Sequence, residues 1–172
     1  MSININTIKR YPNKFFVETG TYRGGTVLKA IGAGFKEIRS IEVCEDLFLE
    51  AQEMFKANKN IKISHGDSSE ILFEVIKDIN YPITFWLDAH NPNFGKDFPE
   101  NTVFAPVLLE LEQISRHKIK SHTILIDDLR IMEHMGIDIS EVKNYIKIIN
   151  PNYSFNTEKG AIENDILVAK VR

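Results

Sequence analysis

Short apolar runs alternate with longer amphipathic segments along almost the whole chain. Five of the runs end in one or two acidic residues, and each is followed by a segment with the apolar spacing of a helix. The runs are FFVETG, IRSIEV, IKISHGD, TFWLDAH and TILIDD. Strands that alternate with helices indicate right-handed crossovers and a mostly parallel sheet covered on both faces. We therefore predict a doubly wound α/β fold.

The segments between and after these runs complete the prediction. In the segment after the first run, Val27, Leu28 and Ile31 lie on one face of a predicted helix. The last two runs, YSFNTEKG and DILVAKVR, are separated by a short connection around Gly160 and predict an antiparallel hairpin. We find no internal repeat or linker, so we predict a single domain over residues 1–172.

The acids at the ends of the runs predict where a ligand binds. A carboxylate is costly inside a buried strand, so acids that recur at strand ends indicate polar groups along one edge of the sheet. Open α/β sheets hold their ligands at that edge. The acids in question are Glu18, Glu42, Asp67, Asp88, Asp127 and Asp128.

Composition narrows the class of ligand. The 172 residues have a formal net charge of −3, which argues against nucleic acid or an anionic membrane surface as a partner. One cysteine, Cys44, permits no internal disulfide, and its apolar surroundings predict a small buried residue. The first residues lack the apolar core of a signal peptide. We expect a cytoplasmic protein that binds small molecules.

Glycines follow the first run directly, in the sequence ETGTYRGGT that starts at Glu18. Gly20 and Gly24 let the backbone turn tightly and approach a ligand at the start of a helix. Their spacing differs from the G-x-G-x-x-G of dinucleotide enzymes. Glu18 would repel a pyrophosphate and attract a sulfonium or ammonium group. The alternative is a structural turn in which Glu18 accepts backbone N–H groups.

The pattern Glu18-x-Gly20-x-x-x-Gly24, the acid Glu42 and the sequence Gly66-Asp67-Ser68 resemble the class I S-adenosylmethionine-dependent methyltransferases. The resemblance covers nearly the whole chain and implies a seven-stranded, Rossmann-like methyltransferase sheet closed by the hairpin. It implies S-adenosylmethionine as cofactor, with Glu42 on the ribose hydroxyls and Asp67 on the adenine amino group. The implied cofactor contacts are Glu18, Gly20, Thr21, Tyr22, Gly24, Glu42, Asp67, Ser68 and Asp88.

Two of these assignments can be argued from chemistry alone. A carboxylate such as Glu42 can accept hydrogen bonds from both hydroxyls of a vicinal diol. Asp67 followed by Glu70 also matches a helix N-cap with a capping box, so a structural and a ligand-binding role for Asp67 both remain open.

The second half of the row predicts a metal site. Asp88, Asp127, Asp128 and His90 would lie side by side at the sheet edge, where they repel one another unless a cation neutralises them. Oxygen ligands suit Mg²⁺, and a histidine shifts the preference toward Mn²⁺. The arrangement is similar to metal-dependent O-methyltransferases of sugar and natural-product pathways, in which such acids bind Mg²⁺. Which of Asp127 and Asp128 faces the site stays open.

These roles predict O-methylation of a small hydroxylated acceptor such as a sugar or glycan precursor. Asp88 and His90 are the candidate catalytic residues, with His90 as general base or, alternatively, as a hydrogen-bonded wall of the pocket. The polar loop 90–101 is either a lid or a surface excursion. Loops 90–102 and 129–138, or a second subunit of a homo-oligomer, would recognise the acceptor. The alternatives are an NAD-dependent oxidoreductase and a non-catalytic cofactor-binding domain.

Overall fold

A computed structural model describes residues 3–89 and 105–171. Its strands are β1 (Phe15–Thr19), β2 (Glu37–Glu42), β3 (Ile61–His65), β4 (Ile83–Leu87), β5 (Thr123–Ile126), β6 (Tyr153–Glu158) and β7 (Ile166–Val171). Its helices are α1 (Ile5–Lys9), α2 (Gly25–Ala33), α3 (Glu45–Phe55), α4 (Ser68–Ile76), α5 (Val107–Ser115), α6 (Leu129–His134) and α7 (Ile139–Ile149).

The strands form one sheet in the order β3-β2-β1-β4-β5-β7-β6. The first five strands run parallel to one another, and β7 runs antiparallel to both β5 and β6. The order reverses between β1 and β4, which is where open α/β sheets leave a crevice for a ligand. The predicted α/β architecture, including the closing hairpin, is confirmed.

The two faces of the sheet bury two separate apolar clusters. Alternate residues of each central strand point to opposite faces, as the two-residue period of a strand requires. Phe16 and Trp86 pack with residues of α1, α2 and α3, whereas Val17 and Phe85 pack with residues of α4, α5 and α7. The apolar runs read as continuous because both faces of the sheet are covered.

Helix α2 packs differently from the prediction. Val27 and Ala30 are buried against the sheet, whereas Leu28 is 54% exposed and Ile31 is 37% exposed. Each of the exposed residues follows a buried one and is therefore rotated by about 100° around the helix axis. Of the three residues on the predicted apolar face, only Val27 is therefore buried.

Two short helices were not predicted. Helix α6 occupies residues Leu129–His134, where the sequence suggested a loop over 129–138, and α1 begins after an Asn4 cap that accepts from the Thr7 N–H at 3.0 Å. Each helix spans less than two turns, which gives too few positions to establish a period. The loop 90–101 lies outside the described residues. Within the described ranges, no helix is both long and apolar enough to cross a lipid bilayer.

Candidate functional site

The carboxyl ends of β1, β2, β4 and β5 meet at one edge of the sheet. Thr19 pairs with Ile41 and Leu87, and Leu87 pairs with Ile126, so the turns that follow these strands leave the sheet at one level. The Asp88 N–H donates to the Thr19 carbonyl at 3.2 Å. Because β5 pairs with β4 in the same register, the acids at the ends of these strands lie at this one edge of the sheet.

Gly20 and Gly24, in the turn after β1, each lack room for a side chain, but for different reasons. Gly20 has φ +83°, and a Cβ at this position would lie 2.6 Å from the Asp88 carbonyl oxygen. Gly24 has φ +71°, and a Cβ there would lie 2.8 Å from the Phe55 ring. The missing side chain at Gly20 thus lets the turns after β1 and β4 lie close together. The missing side chain at Gly24 lets the start of α2 pack against α3. Tyr22, between them, is exposed and has φ +48°.

Glu18 is fully buried below this turn. Its Oε1 accepts from the Ser40 hydroxyl at 2.7 Å, and Oε2 has no hydrogen-bond partner among the described residues. Burial raises the pKa of Glu18 to about 8, and repulsion from Asp88 and Glu42 adds to the shift. A buried carboxylate oxygen without a partner is costly, so Oε2 is suited to a donor or a cation supplied from outside.

Glu42 ends β2 and is also buried. Its Oε2 accepts from the Tyr22 N–H at 2.7 Å, and its Oε1 accepts from the Cys44 N–H at 2.9 Å. Each oxygen keeps one further lone pair for a ligand hydroxyl. Glu42 therefore joins the glycine turn to the end of β2 and keeps acceptor capacity for a diol. Cys44 is buried and free, as predicted.

Asp67 caps helix α4. Its Oδ1 accepts from the Ser69 N–H at 2.8 Å and from the Ser69 hydroxyl at 2.6 Å. The capping role is therefore confirmed, while Oδ2 keeps acceptor capacity. The next residue, Ser68, is buried, and its hydroxyl donates to Glu110 Oε1 at 2.6 Å.

The structure brings Asp88, Asp127 and Asp128 together. Carboxylate oxygens of these three residues lie within 4.8 Å of one another. Asp127 is 1% exposed, and its Oδ1 finds no hydrogen-bond partner within residues 3–89 and 105–171. Burial, together with repulsion from Asp88 and Asp128, raises the pKa of Asp127 to about 8. The chemistry of this cluster suits a divalent cation with oxygen ligands.

Two basic residues near the acids were not identified from the sequence. Arg130 forms ion pairs with Asp128 and with Asp165, whose side chain is fully buried. Lys29 donates to the Ile3 carbonyl at 2.7 Å, and burial lowers its pKa while Glu18, Asp88 and Asp127 act in the opposite direction. Lysine on α2 and arginine on α6 gave no sequence signal, because helical lysine and arginine are usually solvated.

Glu110 was also missed, although the sequence carries a signal for it. It lies on the same face of α5 as Val107, Leu111 and Ile114, and all four residues are buried. An acid on an apolar helix face requires partners. Its Oε1 has the Ser68 hydroxyl as a partner, while burial raises the pKa of Glu110 to about 7. His90, the predicted general base, lies outside the described residues.

No protein-family model matches the chain, and no curated protein sequence is significantly similar to it. Solved structures do match. A protein from Staphylococcus aureus proposed to be a caffeoyl-CoA O-methyltransferase has a TM-score of 0.63 at 16% identity, over 98% of this chain and 82% of that one. An O-methyltransferase from Bacillus cereus, solved with S-adenosylhomocysteine (SAH), has a TM-score of 0.64 at 12% identity, over 98% and 78%.

A third match is a proposed methyltransferase from Streptococcus mutans, also solved with SAH. Its TM-score is 0.62 at 12% identity, over 96% of this chain and 94% of that one. At such identities the similarity establishes the fold and leaves the activity to be argued from the site. The chain has the fold of the class I methyltransferases.

Proposed function

We propose that this chain, which has a class I methyltransferase fold, transfers a methyl group from S-adenosylmethionine to a hydroxyl group of a small acceptor. The observation that carries the proposal is Glu18 Oε2, a buried carboxylate oxygen without a partner in the described structure, below the glycine turn that follows β1. The cofactor's ammonium and sulfonium groups would add positive charge beside Glu18. A nicotinamide cofactor would instead bring a pyrophosphate toward Glu18.

The remaining cofactor contacts follow the order of the strands. Glu42, at the end of β2, would accept the ribose hydroxyls, and Asp67 with Ser68, beyond β3, would meet the adenine. Gly20, Thr21, Tyr22 and Gly24 would line the methionine and ribose portion. The Gly66 N–H donates to the Glu42 carbonyl at 2.9 Å, which keeps the β2 and β3 ends adjacent and supports one continuous ligand across both.

The acceptor half of the site would lie at Asp88, Asp127 and Asp128. These residues would hold Mg²⁺ or Mn²⁺, as the unpartnered Asp127 Oδ1 and the crowding of the three carboxylates support. Such an ion, when bound, would lower the pKa of an acceptor hydroxyl and orient it. A sugar or glycan precursor offers the adjacent hydroxyl groups that this site suits, and a second copy of the chain could complete the acceptor pocket.

The chain's own residues would position the reactants. Transfer forms a bond from the acceptor oxygen to the methyl carbon and breaks the carbon–sulfur bond, so alignment of oxygen, carbon and sulfur is the main requirement. Asp88, half-buried and linked through its N–H to Thr19, lies between the cofactor and acceptor halves. We propose His90, two residues later in the chain, as the base that takes the hydroxyl proton.

Isothermal titration with SAH and with NAD tests the cofactor class. We expect SAH to bind with a dissociation constant in the micromolar range and NAD to give no heat. Binding of NAD without binding of SAH would overturn the proposal. Methyl transfer to sugars of known structure, measured with and without EDTA, then separates an enzyme from a cofactor-binding domain and tests the need for a metal ion.

A further inference from the structure

Glu110 is a buried acid that the proposed chemistry does not use. It reaches from α5 to the cofactor half, where its Oε1 accepts from the Ser68 hydroxyl at the start of α4 at 2.6 Å. Glu110 is 1% exposed and Ser68 is 4% exposed, so this hydrogen bond is shielded from solvent.

The direction of this bond is fixed by chemistry. An ionised carboxylate can only accept, and a hydroxyl has a single proton to donate. Ser68 therefore donates its proton to Glu110. With its proton committed, the Ser68 oxygen can only accept a hydrogen bond from any further group. Its neighbour Asp67, when ionised, is likewise an acceptor, so the Asp67–Ser68 turn presents acceptors.

The Asp67–Ser68 turn is where the proposed cofactor would place its base. Glu42 lies at the end of β2, and β3 is the next strand outward, so a ribose on Glu42 directs the base toward the turn that follows β3. Adenine offers a 6-amino donor there, whereas hypoxanthine offers a 6-oxo acceptor. Two facing acceptors leave both groups without a hydrogen bond, which is costly in a buried site.

We propose that Glu110 is a specificity-determining positioning residue that fixes the Ser68 hydroxyl as an acceptor and so selects a 6-amino purine over a 6-oxo purine. This inference rests on the proposed cofactor site. It assigns to Glu110 no contact with the cofactor, because Glu110 acts through Ser68.

Protonation of Glu110 reverses the arrangement. A proton on Glu110 Oε1, the oxygen that faces Ser68, makes Glu110 a donor to the Ser68 hydroxyl. Ser68 then accepts from Glu110, and its own proton is free to turn toward the base. The charged groups that act on Glu110 are Asp67 and Asp88, and both favour its protonated form. Discrimination between the purines should therefore weaken as the pH falls through about 7.

The test compares SAH with its inosine analogue by isothermal titration at pH 8 and pH 6. The ratio of their dissociation constants isolates the base, because the methionine part facing Glu18 is the same in both ligands. For the unmodified chain we expect SAH to bind about 10- to 100-fold more tightly at pH 8, and the ratio to shrink several-fold at pH 6. A merely structural role for Glu110 would leave the ratio unchanged.

Variants distinguish a failure of this inference from a failure of the proposed function. In Glu110→Gln the amide donates to Ser68, so we expect a ratio below about 3 that is the same at both pH values. Glu112→Gln, an exposed acid on the same helix, should behave as the unmodified chain. If Glu110→Gln binds SAH and keeps the ratio of the unmodified chain at both pH values, the inference alone is overturned. If the unmodified chain does not bind SAH, the proposed function is overturned and this inference with it.

A second variant keeps the test decisive if Glu110→Gln does not fold. Ser68→Ala removes the hydroxyl through which Glu110 acts, so the ratio should fall and lose its dependence on pH. A ratio that changes with pH equally in Ser68→Ala and in the unmodified chain would overturn the inference.

Discussion

Glu18 is the residue at which burial and charge conflict most clearly. Its side chain is inaccessible to solvent, it carries one oxygen without a partner in the described structure, and acids surround it. Because the folded state raises its pKa to about 8, Glu18 holds a proton in the folded chain over a pH range in which the unfolded chain has lost it. Ionisation of Glu18 in the folded state therefore costs stability.

This difference predicts the effect of Glu18→Gln on stability. Between its unfolded pKa and about 8, the unmodified chain loses stability as the pH rises, and the neutral glutamine removes that loss. Without ligand, we expect Glu18→Gln to melt close to the unmodified chain at pH 5 and roughly 2–8 °C higher at pH 9. Thermal melts across this range check the prediction, with the exposed Glu50→Gln as control. A difference in melting temperature that does not vary with pH would contradict it.

The three aspartates make a second prediction at this scale. If Asp88, Asp127 and Asp128 hold a divalent ion, Mn²⁺ should raise the melting temperature, and Asp127→Asn should abolish most of that rise because it removes a buried ligand charge. Differential scanning fluorimetry over a Mn²⁺ series measures the rise. Glu133→Gln, an exposed acid on α6, is the matched control and should keep it. An equal rise in Asp127→Asn would exclude Asp127 as a ligand.

At the scale of elements, the ends of β1 and β4 define the site by their close approach. The strands pair in register up to Thr19 and Leu87, and Gly20 then lies directly against the Asp88 carbonyl. A side chain at this position would push the glycine turn away from the end of β4. The cofactor and acceptor halves of the proposed site would then move apart, although neither half would lose a functional group.

Alanine substitutions at two glycines measure the effect of this contact. Gly20 and Gly34 have similar positive φ values, +83° and +91°, but a Cβ at Gly34 would meet no atom within 4 Å. Gly34→Ala should therefore lose about 1–2 kcal/mol in the free energy of unfolding, from backbone strain alone. Gly20→Ala should lose about 3–5 kcal/mol and also weaken SAH binding at least tenfold. Equal losses in chemical denaturation would show that the Asp88 contact has no energetic role.

At the scale of the whole molecule, Arg130 joins the site to the closing hairpin. Its guanidinium contacts Asp128 after β5 and Asp165 before β7, and Asp165 also accepts from the Ala161 N–H at 3.0 Å. The Leu129 N–H donates to the Asp165 carbonyl at 3.0 Å. The last two strands of the chain therefore stabilise the turn that carries the acids of the acceptor half.

Removal of this link should affect stability more than removal of a surface pair in the same hairpin. Arg130→Met leaves Asp165 buried without its cation, and we expect a loss of about 2–3 kcal/mol, since Arg130 itself is partly exposed. Lys159→Met breaks an exposed pair with Glu163 and should leave the urea midpoint nearly unchanged. Urea denaturation of both variants compares the losses, and similar values would contradict a structural role for Arg130.

Local pattern was enough to predict the succession of strands along the chain and the acids at their ends. The turns after β1, β2 and β4 follow apolar runs directly, so the sequence pattern alone places Glu18, Glu42 and Asp88 at strand ends. The hairpin of the last two strands was also predicted from local pattern. The apolar face of α2 is buried only in part. Leu28 and Ile31 extend the apolar stripe of the helix, but they do not pack against the sheet and stay exposed.

The α/β fold and the acids at its strand ends follow from apolar period and strand-end polarity, which are local properties of the chain. The packing of distant segments leaves Glu18 and Asp127 each with a buried oxygen unpartnered in the described structure and brings Asp128 to Arg130. It also decided that Ser68 donates to Glu110, 42 residues away. Such contacts depend on how distant segments pack, and burial converts them into shifts of pKa and fixed directions of hydrogen bonds.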